Sequence, residues 1–264
     1  MPFDSSLSRR HVLQIFAGGA AFMAGGGPSL AGEARIGALI EQAKVLPSVA
    51  QRIDFIAAAL RGTTYRGYTL VGGPRRAEKF VVRDDGFDCV TFCETVLAAA
   101  MARDLDEFET NLKTIRYHNG VVAWRERNHY FFDWSQHNID NKTCHAIAMD
   151  GSVELQKSIY WHREFGRRRF SMTVIPRAKL LANKAKLASG DIIGFVTMRP
   201  NLDYFHVGFV AFDKDRELLL RHASLSRHRV LDERMDRFCA VNRVRYVTLL
   251  RAEEPAAGAV AKKG

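Results

Sequence analysis

The sequence predicts an α+β fold, and three observations lead there. Apolar residues recur at helical spacing over 35–61: Ile36, Leu39, Ile40 and Ala43, then Ile53, Ile56 and Leu60. Short strand-like runs crowd the last third of the chain, over 192–197, 205–212, 217–222 and 244–250. Between these regions, Phe87-Asp88-Cys89-Val90-Thr91-Phe92-Cys93-Glu94 runs into the apolar stretch Val96 to Ala100 and reads as a helix start with its body. Helices first and strands afterwards is the order of an α+β domain with an antiparallel sheet, not of alternating β–α units.

In chain order, Ser8-Arg9-Arg10-His11-Val12-Leu13-Gln14 is a twin-arginine pattern. An uncharged Gly/Ala-rich stretch, Ile15 to Gly27, follows it, and Ser29-Leu30-Ala31 supplies the small residues of a cleavage site. The expectation is a twin-arginine signal peptide over 1–31, cut after Ala31; the alternative is a short N-terminal helix that stays. The apolar stretch falls short of the roughly 20 residues a membrane anchor needs, so stable membrane insertion after cleavage is not expected. No Cys lies near the cleavage point, so a lipoprotein is not expected. The signal implies the twin-arginine export machinery as a partner and a periplasmic destination. Residues 32–251 are then one domain, and 252–264, rich in Ala, Gly and Lys, a disordered tail.

Within that domain, 35–61 predicts two helices and 62–86 a Gly-rich loop. Residues 88–102 form the Cys helix, and Asp104 caps another helix that ends near Ile115. Asn119-Gly120 is a turn. His129 to Trp134 reads as a strand and its exit, and 135–185 as polar and irregular, with a strand around Phe170 to Val174. Ala188-Ser189-Gly190-Asp191 turns into three strands, and Val244 to Leu250 forms the last. No internal repeat is present.

A chain of 264 residues that is 47% hydrophobic can bury a core. Its net charge is +10, and loss of Arg9, Arg10 and Asp4 with the leader leaves +9. Such a balance suits anionic partners. The basic residues are dispersed, apart from Arg167-Arg168-Arg169 and the Arg221 to Arg229 stretch, and an exported protein does not meet nucleic acid. The charge is a bias toward acidic substrates, or simply that of a basic soluble protein. Of the four cysteines, Cys89 and Cys93 are four apart on one helix, poor geometry for a disulfide, while a Cys144–Cys239 bridge stays open. Without a Cys-x-x-Cys pair no structural zinc site is expected. A metal hydrolase built from His118, His129, His137, His145 and His162 is the weaker alternative, because their spacings are irregular. No cofactor and no metal are expected.

The chemistry sits on two segments. Cys89 opens a helix, where unpaired N–H groups and a partial positive charge favour the thiolate, with an expected pKa of roughly 3.5–7.5. Far downstream, His206 lies on Tyr204-Phe205-His206-Val207-Gly208-Phe209-Val210. A Cys at a helix start with a His from a later strand is how a papain-like nucleophile site is assembled. With a hairpin near Asp213 to Arg216, His222 falls at the same end of the neighbouring strand and can hold the other ring nitrogen of His206. Asp203 competes for that orienting role. The bland alternative for His206 is a core histidine.

These segments carry a resemblance. Asp88-Cys89 at a helix start, Gly190-Asp191-Ile192-Ile193, His206-Val207-Gly208 and His222-Ala223-Ser224 resemble the NlpC-type papain-like cell-wall hydrolases. More narrowly, Phe87 to Phe92 with Glu94, Ile115-Arg116-Tyr117 with Gly120, and Arg127-Asn128-His129-Tyr130 ahead of Trp134 resemble an N-acetylmuramoyl-L-alanine amidase-like branch, once a domain of unknown function. The resemblance covers roughly 60 to 250 and departs from the branch at Cys93, where a Val is expected, and over 135–185. It implies a papain-like fold with the nucleophile helix packed on an antiparallel sheet. Cys89 would be the nucleophile, His206 the base and acid, and His222 the orienting residue. It implies muropeptides as substrate, cut between N-acetylmuramic acid and L-alanine; the wider superfamily more often cuts between D-glutamate and a diamino acid. A catalytically dead cell-wall-binding module is the alternative from another class. Asp88, Tyr65, Arg127, His129, Tyr130 and Trp134 are the candidates for lining the cleft, Arg127 as partner of a stem carboxylate. Against that stands a core role for Tyr130 and Trp134 and a surface role for Arg127.

Overall fold

A computed structural model describes residues 30–162 and 165–255. The expected signal over 1–29 lies outside the described residues, and the expected cleavage point after Ala31 falls in the first turn of helix α1 (Leu30–Ala43). Among the described residues no helix is long and apolar enough to cross a membrane.

Caps set the early elements. Ser48 accepts from the Gln51 N–H at 3.3 Å and starts α2 (Val49–Ala59). The Gly-rich loop that follows contains short strands: β1 (Thr64–Tyr65), the hairpin β2 (Val71–Gly73) and β3 (Arg76–Lys79), and β4 (Gly86–Phe87). Asp88 caps α3 (Cys89–Ala100). Asp104 accepts from the Glu107 N–H at 2.8 Å and starts α4 (Leu105–Arg116). Asn119, at φ 53°, turns the chain as its sequence position suggests. Helix α3 is buried on nearly every side, and truncating a side chain such as Phe92 to Ala would cost about 3–5 kcal/mol.

The middle of the chain departs from expectation. Phe131–Asp140 is helix α5, not a strand and its exit. Its cap is tertiary: the Asp203 carboxylate accepts the Phe132 N–H at 2.7 Å from 71 residues away. Nor is 135–185 irregular. It holds β5 (Cys144–Ala146), the long hairpin of β6 (Val153–His162) and β7 (Gly166–Pro176), and α6 (Arg177–Ala182).

The last third contains β8 (Ile192–Val196), β9 (Tyr204–Phe212) and β10 (Leu218–Ser224), then the unexpected β11 (Arg229–Arg234) and α7 (Met235–Val241), and finally β12 (Tyr246–Ala252). Ten strands form one curled sheet in the order β4-β1-β11-β10-β9-β8-β12-β7-β6, with β5 also paired to β12. All its pairs are antiparallel except β1 with β4. The expected tail over 252–264 is ordered in its first residues, and 256–264 lie outside the described residues. Ala252 ends β12, and Glu254 accepts the Val49 N–H at 2.7 Å and pairs with Arg52 at 3.2 Å.

Each sheet face has its own core. Val207 and Phe209 pack with Phe92, Leu97, Ile36 and Ile53 of α1–α3. Phe195, Val210 and Leu220 pack with Leu180 of α6 and Met235 and Phe238 of α7. Cys144 belongs to the first core and Cys239 to the second, and all four cysteines are free and buried, so the Cys144–Cys239 bridge does not form.

Candidate active site

The site begins with the cap. Oδ1 of Asp88 accepts the N–H groups of Val90 and Thr91 at 3.0 and 2.8 Å, while Oγ1 of Thr91 accepts the Asp88 N–H at 3.0 Å. This capping box starts the helix at Cys89. It also commits Oδ1 of Asp88 to the helix backbone. Burial raises the Asp88 pKa against the hydrogen bonds from Thr91.

Cys89 is 2% exposed, and its sulfur receives the Val207 N–H. That contact depends on a fork in the sheet. Pairing of β9 with β10 stops at Phe209↔Arg221, whereas β10 stays paired with β11 as far as Ser224↔Arg229. The Val210 N–H bonds Asp191 on the β8 side, so Val207, three residues away, points to the β10 side, where the ladder has ended. The sulfur takes the place of a strand partner. Its pKa is pushed up to about 12, first by burial and then by the Asp88 charge, with the Val207 N–H opposing. The depressed thiol pKa expected from a helix start is therefore not found: the Asp88 carboxylate already occupies the positive end of the helix.

Where the backbone ladder stops, side chains take over. Nε2 of His206 and Nδ1 of His222 are 2.6 Å apart, and Phe238 of α7 lies 5.4 and 5.5 Å from the two rings. Gly208 allows this approach, since a Cβ there would meet the Arg221 carbonyl at 2.8 Å and the His222 Cβ at 3.0 Å. Burial first, and the like charge of His222 second, hold His206 well below the usual histidine pKa. Oε2 of Glu233 stands 3.6 Å from Nε2 of His222. Asp203 is not part of this group: its carboxylate bonds the N–H groups of Phe132 and Tyr204 at 2.7 and 2.8 Å, and burial pushes its pKa up to about 6.

The cleft candidates separate. Tyr65, half-buried, stands close enough to Cys89 and Asp88 for both charges to add to burial in raising its pKa. Arg127 is not a free surface residue. Its Nη1 bonds Oε1 of Glu78 at 2.9 Å with the two side chains 9% and 1% exposed, and the Tyr117 hydroxyl donates to the same oxygen at 3.0 Å. Nearby, Arg116 bonds Glu94 of α3 at 2.7 Å with both side chains buried, a pair the sequence reading missed. Its signal was present: a lone Glu in an otherwise apolar helix needs a buried cation. His129 bonds the Trp124 carbonyl at 2.7 Å. Tyr130 is buried ahead of α5, where the charges of Asp203 and Asp133 reach its hydroxyl. Trp134 is core, stacked on Phe131 with centroids 5.0 Å apart, and lines no cleft. Among the described residues no group of three or more His, Cys, Asp or Glu side chains is arranged to hold a metal ion.

A buried thiol at a helix start, beside a strand that carries an imidazole bonded to a second imidazole, can perform nucleophilic acyl chemistry. Residues 55–244 match a family model described as AmiA-like, N-acetylmuramoyl-L-alanine amidase-like. No curated protein matches the chain. Among solved structures, the fold is similar to that of a Legionella pneumophila protein from a family of unknown function, with a TM-score of 0.74 and 23% identity, covering 84% of this chain and 95% of that one. It is also similar to an N-acetylmuramoyl-L-alanine amidase from Bacteroides uniformis, with a TM-score of 0.70 and 23% identity, covering 78% and 99%. At these identities the likeness is one of fold.

Proposed function

The chain belongs to the AmiA-like, N-acetylmuramoyl-L-alanine amidase-like family, and from that membership we propose that it is a cysteine-dependent cell-wall amidase with an NlpC-type papain-like fold. Its substrate is a peptidoglycan-derived muropeptide, cleaved between N-acetylmuramic acid and L-alanine. The observation that carries the reading is the fork: the Cys89 sulfur rests on the N–H of Val207, the residue after His206, and His206 is paired with His222.

The mechanism follows from those groups. Cys89 attacks the amide carbonyl as His206 takes its proton. The Cys89 N–H, which the Asp88–Thr91 capping box leaves over, is the backbone donor for the oxyanion, a contribution of about 3–4 kcal/mol where such a donor has been removed. His206 then protonates the leaving amine of L-alanine and activates the water that hydrolyses the thioester. His222 orients His206. Export by the twin-arginine route to the periplasm, where such fragments arise, is part of the same proposal and is supported by the Arg9-Arg10 pattern. Arg9 and Arg10 both changed to Lys should leave the protein in the cytoplasmic fraction.

The test is mass spectrometry of products from defined soluble muropeptides. The expected products are an L-alanine-terminated peptide and a free muramoyl sugar. A disaccharide still carrying L-alanyl-D-glutamate would identify an endopeptidase instead. Cys89→Ser should stop turnover in a folded protein, and continued cleavage by that variant would remove the nucleophile assignment.

A further inference from the structure

His222 has a second ring nitrogen, and its surroundings are defined. Nε2 is buried without a hydrogen bond, and Oε2 of Glu233 stands 3.6 Å from it. The register places them together. Leu220 pairs with Glu233 and His222 with Leu231 across β10 and β11, so Glu233 lies diagonal to His222 on the same sheet face. At 3.6 Å the contact is electrostatic rather than a hydrogen bond, and a site shielded from water strengthens it.

The tautomers follow. A 2.6 Å contact between two ring nitrogens needs one proton between them. If His206 donates from Nε2, His222 carries its own proton on Nε2, aimed at Glu233, and Nδ1 of His206 keeps its lone pair. If His222 donates from Nδ1, its Nε2 lone pair faces the carboxylate and Nδ1 of His206 is blocked by a proton. The carboxylate selects the first arrangement.

We propose that Glu233 is a positioning residue: acting through His222, it sets both imidazole tautomers so that Nδ1 of His206 is left as the base. The role of that base rests on the reading of Cys89 and His206 given above. Glu233 is held ionised by His222 first, with Arg227 of the β10–β11 turn and Arg237 of α7 adding to the effect. Arg221, next to His222, turns to the other face and bonds Asp54 and Asp232. When the thiol proton moves to His206, positive charge spreads over the imidazole pair, and Glu233 is the anion that faces it.

The experiment combines nitrogen-15 NMR of histidine-labelled protein with kinetics, on full-length wild type and the variants Glu233→Gln and Glu233→Leu. His206 and His222 should both carry their proton on Nε2 in wild type. Glu233→Leu should shift His222 toward the Nδ1–H tautomer and lower kcat about 10–100-fold with KM unchanged, the usual scale for an outer partner of a histidine. Glu233→Gln keeps an acceptor oxygen but no charge. It should preserve the tautomer, recover most of kcat and move the acid limb of kcat/KM to lower pH. The proposal is overturned if wild-type His222 carries its proton on Nδ1, or if Glu233→Leu changes neither tautomer nor kcat. Should Glu233→Leu fail to fold, the wild-type tautomer and the limb shift of Glu233→Gln decide. The tautomer measurement does not depend on the nucleophile: activity surviving Cys89→Ser would end the proposed function and leave the Glu233 assignment standing.

Discussion

Nε2 of His206 and Nδ1 of His222 meet at 2.6 Å with their rings at 87°, bridging two strands whose backbone ladder has already ended. In the proposed mechanism one imidazole does chemistry and the other orients it, so the two substitutions should differ. His206→Ala should abolish turnover, because base and acid are lost together. His222→Ala should lower kcat about 10–100-fold and spare KM. Steady-state kinetics on both variants checks this, and equal loss in the two would contradict the division of roles.

The thiol at Cys89 is protonated at rest, with a pKa near 12, while His206 is neutral. Thiol and imidazole are therefore both uncharged, and in the proposed mechanism proton transfer accompanies attack. Alkylation by iodoacetamide should rise continuously from pH 7 to about pH 9, as for a thiol that has not ionised. A rate already level below pH 7 would reveal a stored thiolate–imidazolium pair. Cys93→Ala should keep activity, since Cys93 is buried in the helix-side core.

Arg127→Ala should act on stability before it acts on substrate. The change strands Glu78, whose side chain is 1% exposed and whose other oxygen is already without a partner. Breaking a buried pair costs about 3–5 kcal/mol. Thermal melting should show the loss, and KM of the remaining folded protein should stay near wild type. A raised KM at unchanged melting temperature would return Arg127 to the cleft.

Stability should carry the mark of His206. Its folded pKa lies well below the ordinary histidine value of about 6.5. Between those values the unfolded chain binds more protons, so this contribution is complete above about pH 6.5 and is lost as pH falls. Asp203, raised to about 6 by burial, works in the opposite sense: the folded state holds the extra proton, and stability rises as pH falls through about 6. Urea midpoints between pH 7.5 and 5 should flatten in His206→Gln and steepen downward in Asp203→Asn. An unchanged slope in His206→Gln would show that the ring titrates alike in the folded and the unfolded chain.

What the sequence could announce was local. Ser48, Asp88 and Asp104 start their helices within three residues of themselves, and β8, β9, β10 and β12 are apolar runs. The pairing of His206 with His222 followed from one hairpin. What it hid was decided at a distance. Helix α5 is capped by Asp203, 71 residues away, and Arg127 finds Glu78 49 residues back in the hairpin β2–β3. Strand β11 is polar and Arg-flanked, so its alternation is faint although Val230 is fully in the core. The state of the thiol turned on burial and on where the Asp88 carboxylate points, neither of which a residue string contains.

Strand β12 is made last, yet it lies inside the sheet, joining β8 to β7 and carrying β5. Without Tyr246 to Ala252 the strands before it form two ribbons that no strand pairing joins. Completion of the sheet thus waits for Tyr246 to Ala252. A chain that stops short of Tyr246 has no smaller domain to settle into, and quality control meets it as an open sheet with two exposed edges.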